Sequence, residues 1–145
     1  MGIVKDLTNS INDTANVVAQ VATTDVLSTV LDLKGFRNGA FHYSVGDSGD
    51  TLSGTVLIEV ELLESDDDST YTAVADADVK NPVTATNTGT VALIDAPTED
   101  QIVGWAEYLG TKQYLKLNFS LTGTHTNGTP VAASGFRTNP NEQPG

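Results

Sequence analysis

KQYLKLNFSLT, residues 112–122, alternates without a break: Leu115, Leu117, Phe119 and Leu121 fall on one side of an extended chain and Tyr114, Lys116, Asn118 and Ser120 on the other. Successive side chains of a strand point to opposite faces, so this stretch predicts a core strand. A second stretch repeats the pattern. Between Thr55 and Leu63, Val56, Ile58, Val60 and Leu62 share a face while Glu59 and Glu61 take the other, which predicts an antiparallel strand with one wet side.

Further strands fall into place around these two. From Asp25, Leu27, Thr29, Leu31 and Leu33 alternate with Val26, Ser28, Val30 and Asp32; Phe41, Tyr43 and Val45 alternate with Ala40, His42 and Ser44. The glycines and the Asn38-Gly39 pair between them predict a chain reversal over 34–39. Tyr71, Ala73 and Val74 suggest a short strand, Val83 to Val91 a Thr-rich exposed or edge strand, and Val131 to Phe136 a last one. Only Ala96 to Gln101, with Pro97 and three acidic or amide side chains, suggests a helical turn. Seven or eight short strands with turn signals between them describe an all-β, antiparallel β-sandwich or jelly-roll-like barrel.

Composition divides the chain further. Residues 1–24 are rich in Asn, Thr, Ala and Val without a clean period and read as an extended N-terminal arm, 25–137 as the body, and 138–145 as a flexible Pro/Asn tail. An arm of that length spans up to ~80 Å when extended. A chain of 145 residues fits one domain, able to bury ~68–70% of the surface exposed by its unfolded form.

The 7 Lys+Arg stand against 19 Asp+Glu, a formal net charge of −12. Such a surface repels phosphate backbones and anionic bilayers, so neither nucleic acid nor membrane is an expected partner. With no cysteine there is no disulfide, thiolate metal site or Cys nucleophile. The N-terminus lacks the apolar core of a signal peptide and no run reaches the ~18 apolar residues of a membrane span, giving the expectation of a soluble, unexported protein. Met1-Gly2 does not lead into a myristoylation motif, because position 6 is Asp.

Reactive groups are sparse. Asp66, Asp67 and Asp68, with Asp76 and Asp78 nearby, offer oxygens to calcium, but an EF-hand loop begun at Asp66 meets Tyr71 where glycine is required and Ala77 where glutamate is required. The expected role is a solvated hairpin whose charges discourage edge pairing. His42 and His125 have no local triad signature, no G-x-S-x-G occurs, and Glu59 and Glu61, a conceivable glycosidase pair, read more simply as a wet strand face. Three Asn-x-Ser/Thr matches lie in an Asn/Thr-rich chain with no secretory signal to give them meaning. Trp105, Tyr108 and Tyr114 suggest a sugar-stacking platform or, more simply, core filler and subunit contact. No catalysis and no cofactor are expected.

DLKGFRNGAFHYSVG (32–46), VELLESDDDSTYTAVADADV (60–79) and AEYLGTKQYLKLNFSLTGTHTNGTPVAASG (106–135) together resemble the capsid cement, or decoration, proteins of tailed bacteriophages, a family with jelly-roll-like members in short-tailed phages. ESDDDSTYTAVADAD and YLGTKQYLKL are the most specific parts of the likeness. The resemblance implies a virion protein on the outer surface of the head, binding the major capsid protein and itself as a dimer or trimer, joining capsomers against internal DNA pressure. It assigns no residue roles. Lys5, Trp105, Tyr108, Lys112 and Arg137 are the expected capsid or subunit contacts, the cations because they stand isolated on an acidic protein. A head fibre or tail component, or a carbohydrate-binding β-sandwich module using Trp105 and Tyr108, are the alternatives.

Overall fold

The computed structural model describes residues 11–140. Ten strands follow in order: β1 (Ile11–Ala22), β2 (Val26–Leu27), β3 (Leu31–Asp32), β4 (Phe36–Val45), β5 (Leu57–Ser65), β6 (Thr72–Ala73), β7 (Thr90–Ile94), β8 (Ile102–Tyr108), β9 (Tyr114–Thr122) and β10 (Thr129–Pro140). All pairings are antiparallel. One sheet runs β1-β10-β4-β8; the other has β9 and β5 at its centre, with β2 and β3 on the outer side of β9 and β6 and β7 on that of β5. The two pack face to face as a β-sandwich.

The core lies between the inward faces. β9 supplies Leu115, Leu117 and Phe119, β5 supplies Ile58, Val60 and Leu62, and β4 supplies Phe41, Tyr43 and Val45, all buried. These are the residues whose alternation marked them in the sequence. Gly135 makes the bulkiest of them possible: a Cβ there would stand 2.8 Å from the Phe41 ring and 2.9 Å from the Ala15 methyl.

The described part of the expected N-terminal arm is a strand, and residues 1–10 lie outside the described residues. Residues 11–22 are β1, paired along its length with β10, and Ala15, Val17 and Ala22 sit in the core. Their period is hidden by two register irregularities, between Asp13 and Ala15 and between Val17 and Gln20. Residues 138–140, expected in the tail, belong to β10, with Pro140 opposite Phe36, and residues 141–145 lie outside the described residues.

Residues 25–33 do not form one strand. Ser28 is buried and exchanges two bonds with Leu117, its N–H donating to the carbonyl (2.9 Å) and its Oγ accepting from the Leu117 N–H (2.9 Å). Thr29 then turns to the other sheet, its N–H donating to the Asn16 carbonyl at 3.0 Å and its Oγ1 accepting from the Asn16 N–H at 2.9 Å. The segment is a strap across both sheets, which leaves Leu27 exposed and Leu31 and Leu33 buried. The reversal after it centres on Gly35, at φ +84°, a conformation open to glycine without a Cβ penalty. Asn38 and Gly39 lie inside β4 instead. Ala96 to Gln101 is a non-helical turn, and the one short helical segment among the described residues is a 3-10 turn at Asp76–Asp78.

The largest departure concerns the wet face of β5. Glu59 and Glu61 are buried. Residues 81–89, expected to be partly strand, instead pass irregularly over this face. Glu59 Oε1 accepts from the backbone N–H groups of Thr86 (2.7 Å) and Asn87 (3.2 Å), and Oε2 accepts from Asn87 Nδ2 (2.9 Å). Asn118 Nδ2 donates to Glu61 Oε1 at 2.8 Å. A buried carboxylate is tolerable only with such donors. Burial pushes the Glu61 carboxyl above its ordinary range, with Glu59 and Asp25 adding to the rise and the Asn118 bond opposing it. Glu59→Ala removes the acceptor of three donors and should cost ~2–3 kcal/mol, with hydrogen exchange at Thr86 and Asn87 becoming fast; unchanged exchange there would show that the segment is held by something else.

Candidate docking surface

The outward side of the β1-β10-β4-β8 sheet is nearly free of charge. A straight row crosses all four strands through Asn16, Ser134, His42 and Trp105; beside it lie Ala132, Ser44 and Val103, and on the other flank Phe136, Ala40 and Glu107. Two acids belong to these rows: Asp13 on β1, in register with Phe136, and Glu107, which Lys80 Nζ neutralises at 3.4 Å. On a chain of net charge −12, most of the acids lie in loops or on the opposite sheet.

Trp105 is the focus of this face. It is 57% exposed, its ring edge-on to His42 with centroids 4.8 Å apart and tilted against Phe136 at 5.8 Å. Trp105 and Phe136, with Asn38, Gly39, Ala40, Glu107 and Thr138, line a cleft of about 310 Å³. Val18 and Val103, 71% and 72% exposed, continue the apolar surface. Exposed aromatic and branched side chains on a sparsely charged patch are the composition of the buried centre of a protein interface.

Tyr108 does not join Trp105. Three residues apart on one strand, the two point to opposite faces, and Tyr108 is buried between the sheets, so its expected place on a contact surface is corrected. Its hydroxyl donates to Glu64 Oε2 at 2.5 Å and accepts from the Lys112 N–H at 3.0 Å. Burial first, and then the Glu64 bond, raises the Tyr108 hydroxyl well above its ordinary pKa. Tyr114 lies on the other sheet, which dissolves the three-aromatic platform.

The expected cationic contacts are otherwise engaged. Lys112 pairs with Asp66 at 3.5 Å. Arg137 donates from Nη1 to the Asp32 carbonyl at 2.7 Å and lies over the Phe36 ring at 4.4 Å, fastening β10 to the β3–β4 turn. Lys5 lies outside the described residues.

The remaining candidates resolve into supports. Asp67 Oδ1 accepts from the N–H groups of Ser69 and Thr70 and from the Ser65 hydroxyl, each at 2.9 Å, which holds its carboxyl below the usual range, the Thr70 bond contributing most. Among the described residues no three His, Asp or Glu side chains converge as a metal site. His125, within the β9–β10 loop, is buried, with Nε2 3.0 Å from the Thr122 carbonyl. Asp50 gathers that loop by accepting from the N–H groups of Thr126, Asn127 and Gly128 at 3.1, 2.9 and 2.7 Å. His42 and His125 are thus on separate parts of the molecule. Among the described residues no helix is long and apolar enough to cross a membrane.

No protein-family model matches the chain, and no curated protein matches it.

Proposed function

We propose that the protein is a structural virion component, a decoration or cement protein that docks on the outer surface of a phage head, binds the major capsid protein, and ties neighbouring capsomers together as a homo-oligomer, without catalysis or cofactor. The observation that carries the reading is the sparsely charged, aromatic-centred outer face of the β1-β10-β4-β8 sheet on an otherwise acidic molecule. The resemblance of residues 32–46, 60–79 and 106–135 to the cement family supplies the partner. Binding restricted to the assembled shell stabilises that state by mass action, ~2.7 kcal/mol per site at 100-fold excess over the dissociation constant, repeated over every site.

The test is co-sedimentation with heads lacking the protein, followed by heating with DNA release as the readout. Saturable binding that raises the release temperature is the expected result. Ser134→Glu sets a charge in the middle of the face and should weaken binding about tenfold or more, since an unpaired carboxylate must then be desolvated. Absence of binding by the unaltered protein would overturn the reading in favour of a fibre or tail component. Specific capture on a glycan array, lost in Trp105→Ala, would instead establish the carbohydrate-binding alternative.

A further inference from the structure

A sheet of four strands has two edges, and the structure treats its edges unequally. The outer edge of β1 is strapped by Thr29 to Asn16 and broken by two register irregularities. The outer strands of the second sheet, β2, β3 and β6, have two residues each, and β7 has five. Short, bulged or covered edges are how β proteins avoid pairing with other chains.

The β8 edge has none of these protections over Ile102–Ala106. Its far end is capped, the Lys80 N–H donating to the Glu107 carbonyl at 3.0 Å and the Leu109 N–H to the Asp78 carbonyl at 2.7 Å. Glu107 and Leu109 therefore direct their backbone groups away from β4. Since β4 and β8 pair without a register shift, alternation turns the N–H and C=O of Val103 and Trp105 the same way. Those four groups have no backbone or side-chain partner among the described residues. Gln101 to Ala106 contains no charged residue, and its two outward side chains, Val103 and Trp105, are 72% and 57% exposed.

We infer that this edge pairs with the same edge of a second copy, β8 antiparallel to β8 about a two-fold axis at Gly104, joining two four-stranded sheets into one of eight. The register is self-complementary. With Gly104 opposite its own copy, Val103 faces Trp105 of the second chain and Trp105 faces Val103, so all four open groups on each chain are satisfied in four hydrogen bonds. Each Val103 then packs against a Trp105 ring on the outer side, an aromatic and β-branched cross-strand pair. Glu107, the nearest acid, lies beyond the paired stretch, its carbonyl already held by the Lys80 N–H. Two molecules of net charge −12 repel at most approaches, and the paired stretch itself, Ile102 to Ala106, carries no charge. The inference deepens the homo-oligomer of the proposed function by naming its interface, and it extends the sparsely charged face continuously across both copies.

Sedimentation equilibrium of the purified full-length protein, with no capsid present, tests it. The expected mass is twice the 15.2 kDa of the chain, and Val103→Lys should halve it while leaving the circular dichroism spectrum unchanged, because the side chain replaced is exposed. Trp105→Lys serves as a second variant with the same expected loss. Amide hydrogen exchange adds the geometry: Val103 and Trp105 are protected in the native protein and exchange freely in the folded monomeric variant. A native protein that stays monomeric, a dimer that survives both lysine variants, or a dimer whose Val103 and Trp105 amides exchange freely would overturn the inference. Because no head is present, none of these results bears on capsid docking, which co-sedimentation decides separately.

Discussion

Leu117→Ala lowers the unfolding free energy by ~2–5 kcal/mol. The side chain is fully buried on β9, flanked by Leu115 and Phe119 and opposite Leu62 across the β5–β9 pairing. Truncation removes apolar contacts to both sheets and leaves a void that strands fixed by ladders on either side cannot collapse to fill. The backbone adds a penalty, since the Leu117 N–H and C=O are held by Ser28, and any relaxation of β9 strains the strap to the other sheet. Denaturant titration followed by Trp105 fluorescence gives the value, and a change below ~1 kcal/mol would show that the pocket around Leu117 is looser than its burial implies.

Deleting residues 1–22 abolishes the fold. Had these residues been an arm alone, the body would survive their loss. Instead β1 covers one side of β10 along its length and supplies Ala15, Val17 and Ala22 to the core, and Ala15 closes the space above the Phe41 ring beside Gly135. The deletion exposes the β10 backbone and this apolar surface together. Against a total stability of ~5–15 kcal/mol, the loss of a whole strand is not survivable. The truncated chain should show no cooperative thermal transition, whereas deletion of residues 1–10, which removes none of the described elements, should keep it. A cooperative transition after the longer deletion would mean that β1 is dispensable.

What the sequence made legible was alternation, and what it concealed was cover. The core faces of β4, β5 and β9 were readable because hydrophobic period two has one physical cause, a buried face opposite a different one. The second face of β5 was misread because Glu59 and Glu61 look like solvent groups until Thr86 and Asn87, remote in the chain and irregular in backbone, supply their donors. No periodicity announces an irregular lid; the one available signal was a run of Thr and Asn with little apolar content, which shows a need for hydrogen-bond partners without saying where they are. β1 was hidden by its irregular register and small side chains, Ala15 and Ala22 being core residues that no hydrophobic pattern picks out. The separation of Tyr108 from Trp105, by contrast, follows from their odd spacing once both lie on one strand. The docking face was illegible because sparseness of charge is a property of four strands taken together, drawn from residues 16, 42, 105 and 134.

The pairing of the first strand with the last has a kinetic corollary. β10 lies between β1 and β4, so on the ribosome β1 is made long before the only strand it pairs with, and it must wait with its apolar side chains uncovered. The pairings of β4 with β8 and of β5 with β9 are available earlier, which makes insertion of β10 the step that closes the sandwich. Contacts so distant in sequence give slow folding, and the waiting strand is the segment most open to capture by chaperones or by another nascent chain.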